Sequence, residues 1–461
     1  MKARISPHRF AGSVRVPASK SHTIRRLLIA ALAEGVSEID DPLDSLDARS
    51  CLAVCRGLGA EIEEYRAADA RCPNPADSRG ERLVRWRVRG IGGRPGRAGA
   101  SGEALRLDVG NSGTTLYLAL AAAALGKEPV EFTGDEQIRR RSAAPLLEAL
   151  SGLGVRAESL NRNGCAPVLI RGPWKGGRVS LSCPTSQYLS AILLAAPLAP
   201  AGTITEIETP LLNEKPYVEM TLSYLKAQHI SCDVAPDFSR FVIRGGAAYK
   251  PLNGPVPGDF SSAAFPACAA VVSGGDLILL GLDPGDTQGD KFFFDILSRM
   301  GCEIRWEKTA AFADPSDCPI LQEWALHVSR RRPLKGGVFD LNAAPDLVPV
   351  AAVTAVYAGG DTALVNVAHA RIKETDRIAV MAAELAKLGG RCTERPDGLI
   401  IHGRTDAGPP LKGGSVDGRG DHRVVMALAA GALGASGPVE IQSAESASVT
   451  YPGFLELLGA H

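Results

Sequence analysis

One short grammar recurs six times along this chain, and it restricts the possible folds more than any other feature. Each copy has a strand-like run or a polar turn, then an apolar run at helical spacing, then a closing glycine. The first copy reads Val14-Arg15-Val16, Pro17 to Ser21, then Ile24, Leu27, Leu28, Ala31 and Leu32 before Gly35. The second has Leu105 to Val109, Gly110 to Thr114, and Leu116 to Leu125 before Gly126. The third has Val179 to Leu181, Pro184 to Gln187, and Tyr188 to Leu198 before Gly202. Three more helical runs follow Asp259-Phe260-Ser261-Ser262, Pro345-Asp346 and Asp421-His422-Arg423, and stop at Gly274, Gly359 and Gly434.

A second pattern alternates with the first. A helix closes on Leu-Gly or a near match (Leu58-Gly59, Leu153-Gly154, Met300-Gly301, Leu388-Gly389), and two strands follow. Each strand pair ends near Arg-Gly or His-Gly, at Gly90, Gly172, Gly245 and Gly403. The period is roughly 70–90 residues, too long for a solenoid, so each unit is a small α/β module. Six such modules in two groups of three make two similar domains, as a length of 461 residues allows. The boundary is expected in the linker-like Tyr249 to Pro257. Arg66 to Gly102, with one clear strand at Val84 to Val88, and Thr309 to Pro319 are expected to be exposed insertions that bury little.

Arg371-Ile372-Lys373-Glu374-Thr375-Asp376-Arg377 stands out against this repeat, with five of its seven residues charged. It runs directly into Ile378, Met381, Leu385 and Leu388, and Thr375 or Asp376 is the natural N-cap. Lys373, Glu374 and Arg377 therefore crowd a helix N-terminus, whose partial positive charge favours an anion, while Glu374 can move a proton. The repeat offers further helix starts of this kind: Lys20, Ser21 and Arg25; Asn111, Ser112 and Gly113; Thr185, Ser186 and Gln187; Arg423. The cluster Arg139-Arg140-Arg141 adds guanidinium groups suited to phosphate or carboxylate, with Arg140 expected in solvent. If these loops converge on an interdomain cleft, they recognise a small polyanion, with Asp346 and Glu374 as an acid/base pair. His22 and His422 suit structural hydrogen bonds, and Asp259 suits a helix cap.

Composition narrows the classes. Lys plus Arg and Asp plus Glu both number 51, so nothing global draws nucleic acid. Ten scattered cysteines without CxxC, and eight histidines without HxxxH, give no reason to expect a metal. Met1 to Arg26 lacks an apolar signal core, and runs such as Leu116 to Leu125 are too short to span a bilayer. A cytoplasmic protein is expected.

Pro17 to Ser21, Gly110 to Thr115, Ser186-Gln187-Tyr188, Arg371 to Arg377 and Gly420 to Arg423 together resemble the 5-enolpyruvylshikimate-3-phosphate synthase family, in order over nearly the whole chain. The resemblance implies an inside-out α/β barrel of six βαβαββ units, with 21–256 as one domain and 1–20 plus 257–461 as the other. It implies enolpyruvyl transfer from phosphoenolpyruvate to shikimate 3-phosphate, by a monomer without metal or other cofactor. By position, Ser21 and Arg25 would hold the shikimate carboxylate, and Thr185, Ser186, Tyr217 and Lys373 its phosphate, with Gln187 over the ring. Lys20, Arg139, Arg377 and Arg423 would clamp phosphoenolpyruvate, with Gly113 allowing close backbone approach. Asp346 would take the proton of the 5-hydroxyl, and Glu374, with Lys20, would protonate the methylene carbon.

Four positions depart from the family pattern. Tyr117 stands for an Arg, Arg141-Ser142 for Arg-Pro, Glu214 for a phosphate-binding Ser, and Val449 for a C-terminal Lys. Glu214 would need Lys215 or Lys373 as a partner, or would point away and leave its place to Asn213 or a backbone N–H. Two other readings stay open. One is the sister transferase acting on UDP-N-acetylglucosamine, which carries Lys-Asn where Lys20-Ser21 stands. The other is a non-catalytic paralogue that only binds small polyanions.

Overall fold

The computed structural model describes residues 1–68, 81–96, 103–308, 324–403 and 410–460. Among the described residues, the six most buried helices are Lys20–Leu32, Gly113–Ala123, Gln187–Ala195, Phe260–Ser273, Val348–Val356 and His422–Ala432. Every residue of Gly113–Ala123, Val348–Val356 and His422–Ala432 is buried. A helix that is apolar on all sides has no face to give to water, so other elements must wrap it. The strands do this: Lys2–Ile5, Ile204–Glu208 and Asp276–Leu280 alternate outward and buried residues. Within each of the chain's two compact units, helices therefore form the middle and sheets the outside.

The chain divides into two compact units, one containing Met1–Ser19 and Pro257–His461, the other Lys20–Ala67 and Leu83–Val256. Each unit has three mixed sheets. In the first unit the helices Phe260–Ser273, Val348–Val356 and His422–Ala432 pack on one another. In the second, Gly113–Ala123 packs against both Lys20–Leu32 and Gln187–Ala195. The module is plainest in the sheet whose strands Leu105–Asp108 and Val130–Thr133 run parallel, with Val168–Arg171 and Arg156–Ser159 added antiparallel. Strands early in the chain complete sheets formed much later. Gly12–Arg15 pairs with Asp276–Leu280, and Lys2–Ile5 with Val439–Gln442, while Gly254–Pro255 joins Val36–Asp40.

Two sets of recurring glycines have distinct causes. Gly59, Gly154, Gly301 and Gly389 have φ of 114°, 88°, 103° and 90°, the left-handed conformation that ends a helix. Gly90, Gly172 and Gly403 instead lie against backbone carbonyls at the end of an earlier helix, where a Cβ would collide.

Part of the segment expected to bury little is core. The strand Glu81–Arg89 inserts Trp86 and Val88, both 0% exposed, while Arg85, Arg87 and Arg89 face outward onto Glu38, Glu63 and Glu61. Its arginine content is that of one solvated face and says nothing of the other. The rest of the expected insertions, 69–80 and 97–102, and the expected loop Thr309 to Pro319 lie outside the described residues. The linker-like stretch is docked: Tyr249 is buried with its hydroxyl donating to the Leu194 carbonyl at 2.7 Å. Among the described residues no helix is long and apolar enough to cross a membrane.

Candidate active site

In the unit holding the C-terminal half, the charged segment begins as a 3-10 turn, Ala368–Ile372, and ends at the helix Arg377–Lys387. Asp376 is the cap, accepting the Ala379 N–H at 3.0 Å. Arg371 is occupied by Asp376 and Glu394, at 2.7 and 2.8 Å, and by the carbonyls of Arg395 and Pro396. These charges hold the turn and are not available to a ligand.

Arg377 points inward and is 0% exposed. Its Nε donates to Asp421 Oδ2 at 2.8 Å, Nη1 to Asp346 Oδ1 at 2.5 Å, and Nη2 to Glu374 Oε2 at 2.5 Å. Asp421 caps the helix His422–Ala432, and the Thr375 hydroxyl donates to it at 3.1 Å. Arg423 Nη2 meets Asp346 Oδ2 at 2.8 Å, and its Nη1 lies 4.0 Å from the buried Asp290. Lys373 Nζ is 4.0 Å from Asp346. Burial would push the Asp346 carboxyl up, but Arg423, Lys373 and Arg377 outweigh it and hold it well below the usual range. Burial likewise works against the Arg377 charge, and Asp421, Glu374 and Asp346 overcome it. Three helix starts thus meet at one charge cluster, because Asp346 lies just before Val348–Val356 and Arg423 opens His422–Ala432.

The other unit carries a separate set. Lys20 Nζ pairs with Asp47, in the first turn of Leu46–Gly57, at 3.1 Å. Arg25 is 1% exposed and donates to Thr221 Oγ1 at 3.0 Å, the Ser21 carbonyl at 3.1 Å, and Ser190 Oγ and the Tyr217 carbonyl at 3.4 Å. None of these acceptors is charged, and burial draws its pKa down to about 10. Thr185 and Ser186 stand at the start of Gln187–Ala195, where the side-chain carbonyl of Gln187 is buried without a partner.

Gly113 opens its helix under the guanidinium of Arg141, whose Nη1 an added Cβ would meet at 2.8 Å. Arg141 also donates to Asn111 Oδ1 at 3.3 Å. Arg139 is exposed and donates to Thr133 Oγ1 at 3.4 Å, so the arginine brought to Gly113 is Arg141. Arg140 is exposed beside Glu136.

A family model described as EPSP synthase (3-phosphoshikimate 1-carboxyvinyltransferase) matches residues 5–458. The chain belongs to this family. A 3-phosphoshikimate 1-carboxyvinyltransferase of Acetivibrio thermocellus is 43% identical over 458 residues, covering 99% of this chain and 97% of that one. Its counterpart in Halobacterium salinarum is 39% identical over 464 residues, with 99% and 98% covered. The solved EPSP synthase of Acinetobacter baumannii superposes with a TM-score of 0.78 at 28% identity, covering 99% of this chain and 97% of that one. This chain therefore has the EPSP synthase fold.

The departures from the family pattern have visible surroundings. Tyr117 donates to the Ser142 carbonyl at 3.1 Å, as Tyr188 does at 2.6 Å, and the two rings meet edge-on at 5.0 Å. Val449 ends the 3-10 turn Ala444–Val449 and is partly buried. Glu214 does not turn away: its Oε2 accepts from the Ser186 N–H at 3.0 Å and from the Ser186 and Thr185 hydroxyls at 2.8 and 3.1 Å. Lys215 goes to the Asp237 carbonyl instead.

Asp47, Asp290 and Asp421 escaped notice as partners in the sequence. Asp421 carried a signal, as the cap of a repeated helix start; Asp47 and Asp290 carried none. His22 is structural, with Nδ1 2.6 Å from the Tyr224 hydroxyl, and Asp259 is a cap, accepting the Ser262 N–H at 3.1 Å.

Proposed function

We infer that this chain transfers the enolpyruvyl group of phosphoenolpyruvate to the 5-hydroxyl of shikimate 3-phosphate and releases phosphate, in the cytoplasm and as a step of the shikimate pathway. The observation that carries the reading is the linked cluster of Asp346, Glu374, Arg377 and Arg423, in a chain matching the family from residue 5 to 458.

In this reading Asp346 removes the 5-hydroxyl proton as the oxygen attacks C2 of phosphoenolpyruvate. Glu374, with Lys20, gives a proton to C3, so that C2 passes through an oxocarbenium-like state. Loss of a proton from C3 then expels phosphate and restores the double bond. Arg377, Arg423, Lys20 and Arg141 surround the phosphoenolpyruvate anion, and the position of Arg141 over Gly113 favours it above Arg139. Arg25 and Ser21 take the shikimate carboxylate, which supplies the charge that Arg25 lacks among its present acceptors. Thr185, Ser186, Tyr217 and Lys373 take the phosphate, and Gln187 covers the ring.

A cation-clamped Asp346 is a poor base. Anionic substrates would draw Arg423 and Lys373 toward themselves and release the carboxylate for proton transfer. The test is phosphate release in the presence of both substrates. Release only when both are present supports the reading. Binding of shikimate 3-phosphate without any release leaves a polyanion-binding paralogue.

A further inference from the structure

The donors at the start of Gln187–Ala195 form an anion seat, and in this chain the seat is already filled from within. Glu214 is 3% exposed and is the N-cap of Lys215–Ala227, with a left-handed backbone (φ 57°, ψ 40°) that L side chains seldom adopt. That backbone turns its carboxylate onto Thr185 and Ser186. Two hydroxyls and one N–H converge on the single oxygen Oε2, at 2.8 to 3.1 Å. The same three donors, at a helix N-terminus, are what a phosphate oxygen accepts from.

We propose that Glu214 is a specificity-determining residue: its carboxylate is a built-in competitor that occupies the seat of the acceptor's phosphate and must leave before that phosphate can enter. The proposal rests on the preceding reading for the identity of the acceptor, but the competition at the seat is a property of the residues. A carboxylate and a phosphate cannot share these donors, since both only accept and both are negative. Displacement is local. It moves one side chain off Thr185 and Ser186, and leaves the Glu214 carbonyl, which caps the Tyr217 N–H at 3.0 Å, where it is. Arg25, bonded to the Tyr217 carbonyl in the same turn, then faces a substrate anion in addition to the Glu214 charge.

The competition makes the phosphate group contribute less to binding here than its donors would allow. Calorimetric titration of the native protein, Glu214→Asn and Glu214→Gln with shikimate 3-phosphate, shikimate and inorganic phosphate tests this. Asn tolerates the left-handed backbone and is too short to fill the seat; Gln keeps the size without the charge. Shikimate 3-phosphate and inorganic phosphate should bind Glu214→Asn roughly 10- to 100-fold more tightly than native, with a smaller gain for Gln. Shikimate, which lacks the phosphate, should bind all three alike. Melting curves show whether the variants are folded. A folded Glu214→Asn that binds both phosphates no better than native, or worse, overturns the proposal. Tighter inorganic phosphate binding in a protein that never releases phosphate from the two substrates would uphold the internal competitor and overturn the enzymatic reading.

Discussion

Arg423 Nη2 lies 2.8 Å from Asp346 Oδ2, so the clamp expected for one substrate is bonded to the base expected for the other. In the proposed reaction the pair would act as a switch by charge. While the arginine holds the carboxylate, the carboxylate keeps its negative charge and resists a proton. An arriving anion competes for the arginine and weakens that hold. If the proposed roles hold, substrate binding and base strength are coupled through the cations around Asp346, Arg423 among them.

Asp346→Asn should lower kcat about 100-fold or more while KM for either substrate moves only a few-fold, because shape is kept and proton transfer is lost. Glu374→Gln should behave alike, since Arg377 retains Asp346 and Asp421. Steady-state phosphate release checks both, and a near-native kcat in either variant would assign the proton to another group.

The same carboxyl gives a pH signature. Its folded pKa is depressed below the ordinary 3.8, so its stabilising contribution is fully present above that value and is lost as pH falls below it. The gap in Tm between native protein and Asp346→Asn should be constant between roughly pH 5 and 8 and shrink below about pH 4. Scanning calorimetry measures it, and a gap that does not change on acidification contradicts the placement of Asp346 among three cations.

Arg25 is a buried cation with neutral acceptors, which costs stability that a ligand carboxylate would offset. Arg25→Met should therefore leave the Tm of the unliganded protein unchanged or raised while weakening shikimate 3-phosphate roughly 100-fold or more. Loss of both stability and binding would show a purely structural arginine.

Arg141→Ala should weaken phosphoenolpyruvate roughly 10- to 100-fold, the worth of a charge-assisted contact, while Arg139→Ala changes it by less than about threefold. Competition titrations distinguish them, and the reverse ranking restores Arg139 as the clamp.

Val449 stands where the family resemblance puts a lysine and is partly buried, so a lysine there can keep its stem covered and its ammonium in the open. Val449→Lys should tighten phosphoenolpyruvate roughly 10-fold without lowering Tm. A drop in Tm with no gain in affinity would mean that the lysine is buried unpaired.

The repeat was legible because its signals are local. Asp376 caps Arg377–Lys387, and Leu388 followed by a left-handed Gly389 ends it, through contacts spanning only a few residues. Five of the six most buried helices were legible for the same reason, because an apolar run on all sides states its own burial; Lys20–Leu32, with Arg25 buried, is the exception. Arg85, Arg87 and Arg89 misled because a strand has two faces, and composition averages the solvated one with the Trp86 face.

The sequence by itself determined where the six repeated helices and the helix after Arg371 to Asp376 lie, that polar turns stand at their N-termini, and which acids and bases those turns carry. Only the tertiary structure decided which charge meets which. Asp47 reaches Lys20, Asp290 approaches Arg423, Arg141 rather than Arg139 covers Gly113, and Glu214 enters the Ser186 seat. The reason is physical. Capping and helical periodicity are interactions between near neighbours and leave a local pattern, whereas an ion pair is selected by the packing that brings distant segments within about 4 Å, where burial makes the choice of partner costly to change.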